Sequence, residues 1–423
     1  MIVYKITRCL VRIIIWYQLM LRVNVITVMK VLRVISCVLL LFSSHSHAGD
    51  ALNKLYGMSS AAILLVDTKH RELIAKQASQ ALIPASTVKL ITALAALEKW
   101  GRKHRFKTEF YLDKYNQVLI VRGLGDPFLI SEELDVIVAK IRRLGITRLA
   151  NITADDSYFD QIVNSSDQSR TNNPYDAVAS ALAVNFNTIE LEVSSNGIKS
   201  GETQTPLTPM AQHLAHGLPV GKHRINLGSA KRSPEYFIQV LSSKLRSAGV
   251  TVGNKNERPK PSLEDASLLF IHSNTRPLEQ IVQAMLEYSN NFIANQLFLL
   301  LGIEQYGAPA SLQKSRQMLA EYLAKEFNWQ NYVINDGSGL SRFNQLSAHQ
   351  LVDVLDRFAS YRDLMPQQSS QIYAKSGTLK GVSCYAGYVF RDNEWQTFAL
   401  LINQPVRYRF REQLAEELVY YDG

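Results

Sequence analysis

The sequence predicts an α+β protein: one antiparallel sheet flanked by helices, with a large α+β insertion separating the first part of that sheet from the rest. Three observations predict it. Two strand-like runs, 61–66 and 72–75, are followed at once by an apolar helical stretch at 83–100. From about 106 to 265 the character changes to short strand runs, a helix and long polar loops, notably 164–173 and 253–264. Long apolar periodicity then returns from about 272, and the chain closes with strand runs at 372–375, 382–390 and 395–402 and a helix near 409–419. The division that follows is 49–105 with 266–423 as the main unit and 106–265 as an inserted accessory region.

At 423 residues, 47% of them apolar and 20% charged, the chain is globular and large enough for two or more cores. Its formal charge of +9 is unevenly placed: Lys5, Arg8, Arg12, Arg22, Lys30 and Arg33, with no acidic residue before 49, supply +6 of it. The remainder carries only +3, which argues against a nucleic-acid partner. Residues 29–48 begin with Met29 and Lys30, continue through an apolar run and end with small residues at Ser46 and Ala48, the pattern of an export signal cut before Gly49. Residues 1–28 then read as an upstream extension. Cys9 and Cys37 fall in the removed part, which leaves Cys384 alone in a strand-like run and permits no internal disulfide. The histidines form no His-Glu-x-x-His, and His213 and His216 have no acidic neighbour, so no metal or other cofactor is implied.

Taken in order, 50–58 is a short helix and 61–66 with 72–75 a strand pair. The helix at 83–100 opens with Pro84, acceptable there because the first helical amides need no internal partner. Ser86 and Lys89 then stand one turn apart on one face, where an amine of lowered pKa can take the hydroxyl proton. In the insertion, strands are expected at 108–112, 117–121, 148–154 and 188–193 and a helix at 132–144. Beyond it come a long helix at 278–302 containing Ser289, Asn290 and Asn291, a helix at 312–324, a glycine-punctuated turn at 335–340 and a helix at 347–357.

Three stretches carry candidate chemistry. Besides Ser86 and Lys89, a hydroxyl at Ser289 can relay a proton while the Asn291 amide binds Lys89 and a substrate carbonyl. In Lys375-Ser376-Gly377-Thr378, the glycine allows close approach of a ligand to backbone, Lys375 offers charge to a carboxylate and lowers the pKa of Lys89, and the Thr378 amide can face an acyl oxygen. Each stretch alone has a plainer reading: a capping serine beside a solvated lysine, a polar triplet at a helix break, an ordinary hairpin end.

In this order the three stretches resemble the Ser-x-x-Lys, Ser-Asp-Asn and Lys-Thr-Gly motifs of penicillin-binding proteins and serine β-lactamases. The long separation of Lys89 from Ser289 is similar to that of the S13, or DacB-type, D-alanyl-D-alanine carboxypeptidase/endopeptidase group. So are Arg122-Gly123-Leu124-Gly125-Asp126-Pro127, Asp155-Asp156-Ser157-Tyr158-Phe159-Asp160, and the run from Asp336 to Arg342 followed by Asn344. The resemblance implies a transpeptidase-like fold with the insertion between the first and second motifs. It implies Ser86 as acylated nucleophile, Lys89 as its base, Ser289 as proton donor to the leaving amine with Lys375 nearby, and Asn291 orienting the substrate amide. Lys375, Ser376 and Thr378 would hold the terminal carboxylate beside Gly377, and the backbone amides of Ser86 and Thr378 would form the oxyanion hole. The implied partners are peptidoglycan stem peptides and their cross-links, with β-lactams as covalent inhibitors, in the periplasm. Peripheral contact with the inner membrane stays open, with no amphipathic anchor after the last strand, and these features do not specify an oligomeric state.

The sequence departs from the family pattern at Asn290 and Asn295, usually aspartate and glutamate, at Ser376, usually threonine, and at Leu124, usually glycine. Asp155 and Asp156 are candidates for binding the free amine of a diamino-acid side chain, against the plainer reading of a turn fixed by short acidic side chains. Two other functional classes stay open: a non-catalytic cell-wall-binding scaffold on the same fold, and another serine acyl-transfer enzyme such as an esterase or β-lactamase.

Overall fold

The computed structural model describes residues 49–160, 171–253 and 263–421. The segments 1–28 and 29–48 and most of the loops expected at 164–173 and 253–264 lie outside the described residues. The strands in chain order are β1 (Ala61–Val66), β2 (Glu72–Lys76), β3 (Lys107–Asp113), β4 (Val118–Gly123), β5 (Arg148–Leu149), β6 (Asn151–Asp155), β7 (Thr188–Ser194), β8 (Gly197–Ser200), β9 (Gly221–Asn226), β10 (Thr251–Val252), β11 (Ser267–Ser273), β12 (Gln367–Ser369), β13 (Ile372–Leu379), β14 (Val382–Arg391) and β15 (Glu394–Ile402).

The principal sheet has the order β12-β13-β14-β15-β1-β2, so the first strand of the chain pairs antiparallel with the last, Ala61 opposite Ile402 and Val66 opposite Thr397. β1 reads Ala-Ala-Ile-Leu-Leu-Val and is buried at every position, because helices cover both faces of the sheet. On one face lie the helices Lys89–Trp100, Leu278–Glu287, Asn291–Tyr306 and Ala348–Phe358, packed with Val382, Cys384, Ala386 and Tyr388 of β14. On the other lie Asp50–Tyr56 and Phe410–Val419, against Tyr385, Val389 and Phe398. The Glu417 carboxylate ties these last two helices together by accepting from the amides of Ala51 and Leu52, each at 2.9 Å, where unpaired N–H groups open the first helix.

The insertion has its own core. β11-β3-β4-β6 form a four-stranded sheet and β8-β7-β9 a three-stranded one, and the helices Ser131–Arg143 and Ser233–Ser247 share one hydrophobic core with them through Leu134, Ile137, Phe237 and Leu241. The second of these helices went unread in the sequence, although Tyr236, Phe237, Val240, Leu241 and Leu245 recur at helical spacing. The run at 148–154 splits into β5, which pairs with β10, and β6, which pairs with β4. The boundary also moves. β11 pairs with the outgoing β3, and the rings of Phe110 and Phe270 stack at 4.6 Å, so the insertion closes at Ser273 rather than at 265. Its neck is tied by buried Asp126, whose two carboxylate oxygens accept from the Asn274 amide at 3.0 and 2.9 Å; burial pushes that carboxyl up to about 6.

The long helix expected at 278–302 is two helices. Leu278–Glu287 ends at Tyr288, Ser289 takes φ +51°, and Asn290 restarts the chain as an N-cap whose side chain accepts from the Ile293 amide at 3.0 Å. The polar triplet is thus a helix break, and Asn290 does what an aspartate there would do, by the same hydrogen bond. Replacing Asn290 by Asp should leave the melting temperature nearly unchanged, whereas Asn290→Ala should cost about 1 kcal/mol in a denaturant titration.

Candidate active site

Three segments distant in sequence converge around one amine. Pro84 (φ −84°) and Ala85 (φ +48°) bend the chain into a 3₁₀ turn, Ala85–Val88, and the α-helix starts only at Lys89. The expected single helix over 83–100 therefore begins in a tighter turn. Three residues per turn keeps Ser86 and Lys89 on one face. Ser86 is half-buried and Lys89 fully buried. The Lys89 Nζ lies 3.1 Å from Ser86 Oγ, 2.6 Å from Asn291 Oδ1 and 2.6 Å from the Ser338 carbonyl. Burial, then the charge of Lys375, hold its pKa well below the ordinary lysine range, with Asp336 opposing them. An amine so depressed can stand unprotonated and accept the Ser86 proton across that contact.

The Ser338 carbonyl is a contributor that sequence reading missed. The signal was there in the Asp336-Gly337-Ser338-Gly339 turn, quoted as a resemblance and given no role. The buried Asp336 carboxylate accepts from the amides of Ser338 (3.1 Å), Gly339 (2.6 Å) and Ser341 (2.7 Å) and from the Asn344 side chain (3.2 Å). This knot aims the Ser338 carbonyl at Lys89 while the Gly337 carbonyl accepts from Thr92 Oγ1 at 2.7 Å on the same helix. Gly339, at φ +81°, lies so close that a Cβ there would meet the Ala85 carbonyl at 1.9 Å.

On the opposite side of the serine turn runs β13. A Cβ on Gly377 would stand 2.7 Å from the Pro84 carbonyl oxygen and 3.0 Å from the Ser86 amide nitrogen, so only glycine lets this strand lie against the turn. Lys375 is almost fully buried and donates to the Ser376 carbonyl at 2.9 Å. Burial and then Arg411 lower its pKa to about 8, against the attraction of Glu287. Ser376 is half-buried and Thr378 exposed. β12 pairs only with Ile372 and Tyr373, so β13 from Lys375 onward presents an edge to the site.

Ser289 stands half-buried between the two helices, two residues after Glu287 and two before Asn291. Asn291 bridges two parts of the molecule: its Oδ1 accepts from Lys89 and its Nδ2 donates to the Tyr175 carbonyl of the insertion at 3.1 Å. A cleft of about 490 Å³ adjoins it, bounded by Tyr175, Phe186, Arg224 and Tyr288.

Asp155 and Asp156 are not brought to this cluster. Asp155 pairs with Arg122 at 3.4 Å and accepts from the Ser157 amide at 3.0 Å, and burial raises the pKa of Asp156. Phe159 bridges Ala310, just past the C-terminal end of the Asn291–Tyr306 helix, about 20 Å along its axis from Asn291. In this structure the acidic pair fixes a turn and a joint. Cys384 is buried, its Sγ 3.3 Å from the Ile83 carbonyl, and burial pushes its thiol up to about 12, a packing role rather than a nucleophile's.

A half-buried serine with a desolvated amine behind it is the arrangement of an active-serine acyl-transfer enzyme that uses lysine where others use histidine. The chain belongs to the D-Ala-D-Ala carboxypeptidase 3 (S13) family, whose sequence profile matches residues 46–217 and 213–370. It is 28% identical to a D-alanyl-D-alanine carboxypeptidase of Actinomadura sp. (strain R39), over 87% of this chain and 82% of that protein. It is 24% identical to the D-alanyl-D-alanine carboxypeptidase DacB of Haemophilus influenzae, over 81% of this chain and 85% of that one. The crystal structure of penicillin binding protein 4 (dacB) from Haemophilus influenzae superposes with a TM-score of 0.70 at 20% identity, covering 88% of this chain and 98% of that chain. The fold is the penicillin-binding type expected from the sequence.

The two lysines make the pH dependence specific. The rate of Ser86 acylation should rise with pH through a limb set by Lys89 below the ordinary lysine range, then fall near pH 8 as Lys375 loses its proton. Lys375→Arg should abolish that fall, since a guanidinium stays charged; acylation rates with a fluorescent penicillin across pH check both limbs.

Proposed function

We propose that this chain is a serine-type D-alanyl-D-alanine carboxypeptidase and endopeptidase acting on peptidoglycan stem peptides and their cross-links. The observation that carries the reading is the fully buried Lys89 amine 3.1 Å from the Ser86 hydroxyl, inside a site whose other wall is an open strand edge. An extended peptide can lie along β13 as an added strand, with its penultimate carbonyl at Ser86. Ser86 Oγ attacks that carbonyl as Lys89 takes the proton. The oxyanion is received by the amides of Ser86 and Thr378.

Collapse of this intermediate breaks the peptide bond, and the departing amine takes a proton through Ser289, next to Lys375. Asn291 orients the substrate amide, and Lys375, Ser376 and Thr378 hold the terminal carboxylate beside Gly377. Water then attacks the acyl-enzyme, with Lys89 again the base, and the free acid leaves. The product is D-alanine when the amine belongs to the terminal residue; a severed cross-link results when it belongs to a diamino acid of a second strand. β-Lactams acylate the same serine, which makes them inhibitors.

The protein meets this substrate in the periplasm, an assignment supported by the basic, apolar and small-residue order of 29–48. Among the described residues no helix is long and apolar enough to cross a membrane. Residues 106–273 serve as an accessory unit that braces the site through the Tyr175 carbonyl.

Incubation with a defined stem pentapeptide should release D-alanine, and a cross-linked dimer should yield monomers. Ser86→Ala should lose both activities and all labelling by fluorescent penicillin while remaining folded by circular dichroism. A folded wild type that forms no covalent adduct and releases no D-alanine would overturn the reading.

A further inference from the structure

One of the cations at the outer end of β13 comes from the last helix. Arg411 lies one residue into Phe410–Val419, its side chain only 18% exposed, and its Nη1 donates to the Gly377 carbonyl at 3.1 Å and to Thr378 Oγ1 at 2.6 Å. Its Nε is taken by Glu412 at 2.9 Å, which fixes the guanidinium plane and leaves Nη2 without a partner among the described residues.

Resting on the function read above, we propose that Arg411 is a specificity-determining residue that recognises the free carboxylate of the substrate's terminal residue together with the Thr378 hydroxyl. A planar fork already bound to one hydroxyl of the site is preorganised to add a carboxylate oxygen. Lys375 is poorly suited to do this alone. It is almost fully buried, donates to the Ser376 carbonyl, and has a pKa lowered to about 8, so part of its charge is lost at mildly alkaline pH. A guanidinium, unlike an amine, stays charged across that range.

The surroundings also suit an anion. A cavity of about 350 Å³ opens beside Thr378 and Arg411 and is further lined by Arg407 and Arg409. Its acidic member, Glu412, is turned to the Arg411 Nε, and Arg409 reaches Glu416 only at 3.9 Å. A carboxylate arriving at Thr378 thus meets net positive charge beside a guanidinium that retains a donor. Arg411 was invisible in the sequence because it lies past the last strand, outside every motif, in a stretch read only as a helix.

The test compares two peptides differing only at the C-terminus, one ending in D-Ala-D-Ala with a free carboxylate and the other in the D-alanyl amide. The readout is the ratio of their kcat/KM values. Wild type should favour the carboxylate, Arg411→Gln should lower that ratio about tenfold or more, and Arg411→Lys should fall between. A role confined to bracing β13 would lower both rates and leave the ratio unchanged, which overturns the proposal. Should the Gln variant not fold, an unchanged ratio in the Lys variant overturns it and a reduced one supports it. A wild type inactive on both peptides overturns the function reading and this inference with it; an active wild type with ratios insensitive to residue 411 overturns this inference alone.

Discussion

The site is organised by the cost of burying one amine. Lys89 sits at the start of a helix whose every residue from 89 to 97 is buried, so its nitrogen has no water to satisfy it. Three oxygens from three parts of the chain meet that need: the Ser86 hydroxyl, the Asn291 side chain and the Ser338 carbonyl. Removing any of them would leave a buried polar group short of a partner, so the same constraint that depresses the amine's basicity also holds the three segments in register.

This explains why the neighbouring segments are so tightly specified. The serine turn is gripped between two glycines, Gly339 against the Ala85 carbonyl and Gly377 against the Pro84 carbonyl and the Ser86 amide. Neither position has room for a side chain. The Asp336 carboxylate makes no hydrogen bond to the Lys89 amine among the described residues, yet its knot fixes the Ser338 carbonyl that Lys89 requires. The insertion acts at a similar remove. Its Tyr175 carbonyl accepts from the Asn291 amide, and that hydrogen bond leaves Asn291 Oδ1 pointing to Lys89.

Much of this was legible before the fold was known, for identifiable reasons. The terminal strands and the helix after Ser86 are apolar and periodic, so hydrophobic patterning alone located them. Ser86, Lys89, Ser289, Asn291 and Lys375 could be singled out because side-chain chemistry leaves residue types in the sequence, and the fold brings Ser86, Lys89 and Asn291 into contact. What escaped was carried by backbone or by chain reversal. The Ser338 carbonyl has no residue signature, the break at Ser289 is a local left-handed turn inside an apolar run, and the return of β11 beside β3 is a non-local pairing. Asp155 and Asp156 carried two readings, an amine-binding pair and a turn fixed by short acidic side chains, and the contacts of Asp155 with Arg122 and the Ser157 amide are those of the second.

The departures from the family's usual residues sort by whether the function of the position is a shape or a charge. At Asn290 the position requires an acceptor for the Ile293 amide, which an amide oxygen supplies as well as a carboxylate does. At Ser376 the hydroxyl is kept and only a methyl group is lost. Asn295 is different: its Oδ1 is buried with no hydrogen-bond partner among the described residues, one helical turn from Asn291. A glutamate there would place a charge in the same setting, so the substitution exchanges a buried carboxylate for a neutral amide beside the helix end that positions Asn291. Along this helix the chain therefore keeps the hydrogen-bond acceptors that set the geometry at 290 and 291 and gives up negative charge at 290 and 295. The field on Lys89 is left to Lys375 and Asp336, the two charged groups that most strongly govern its protonation.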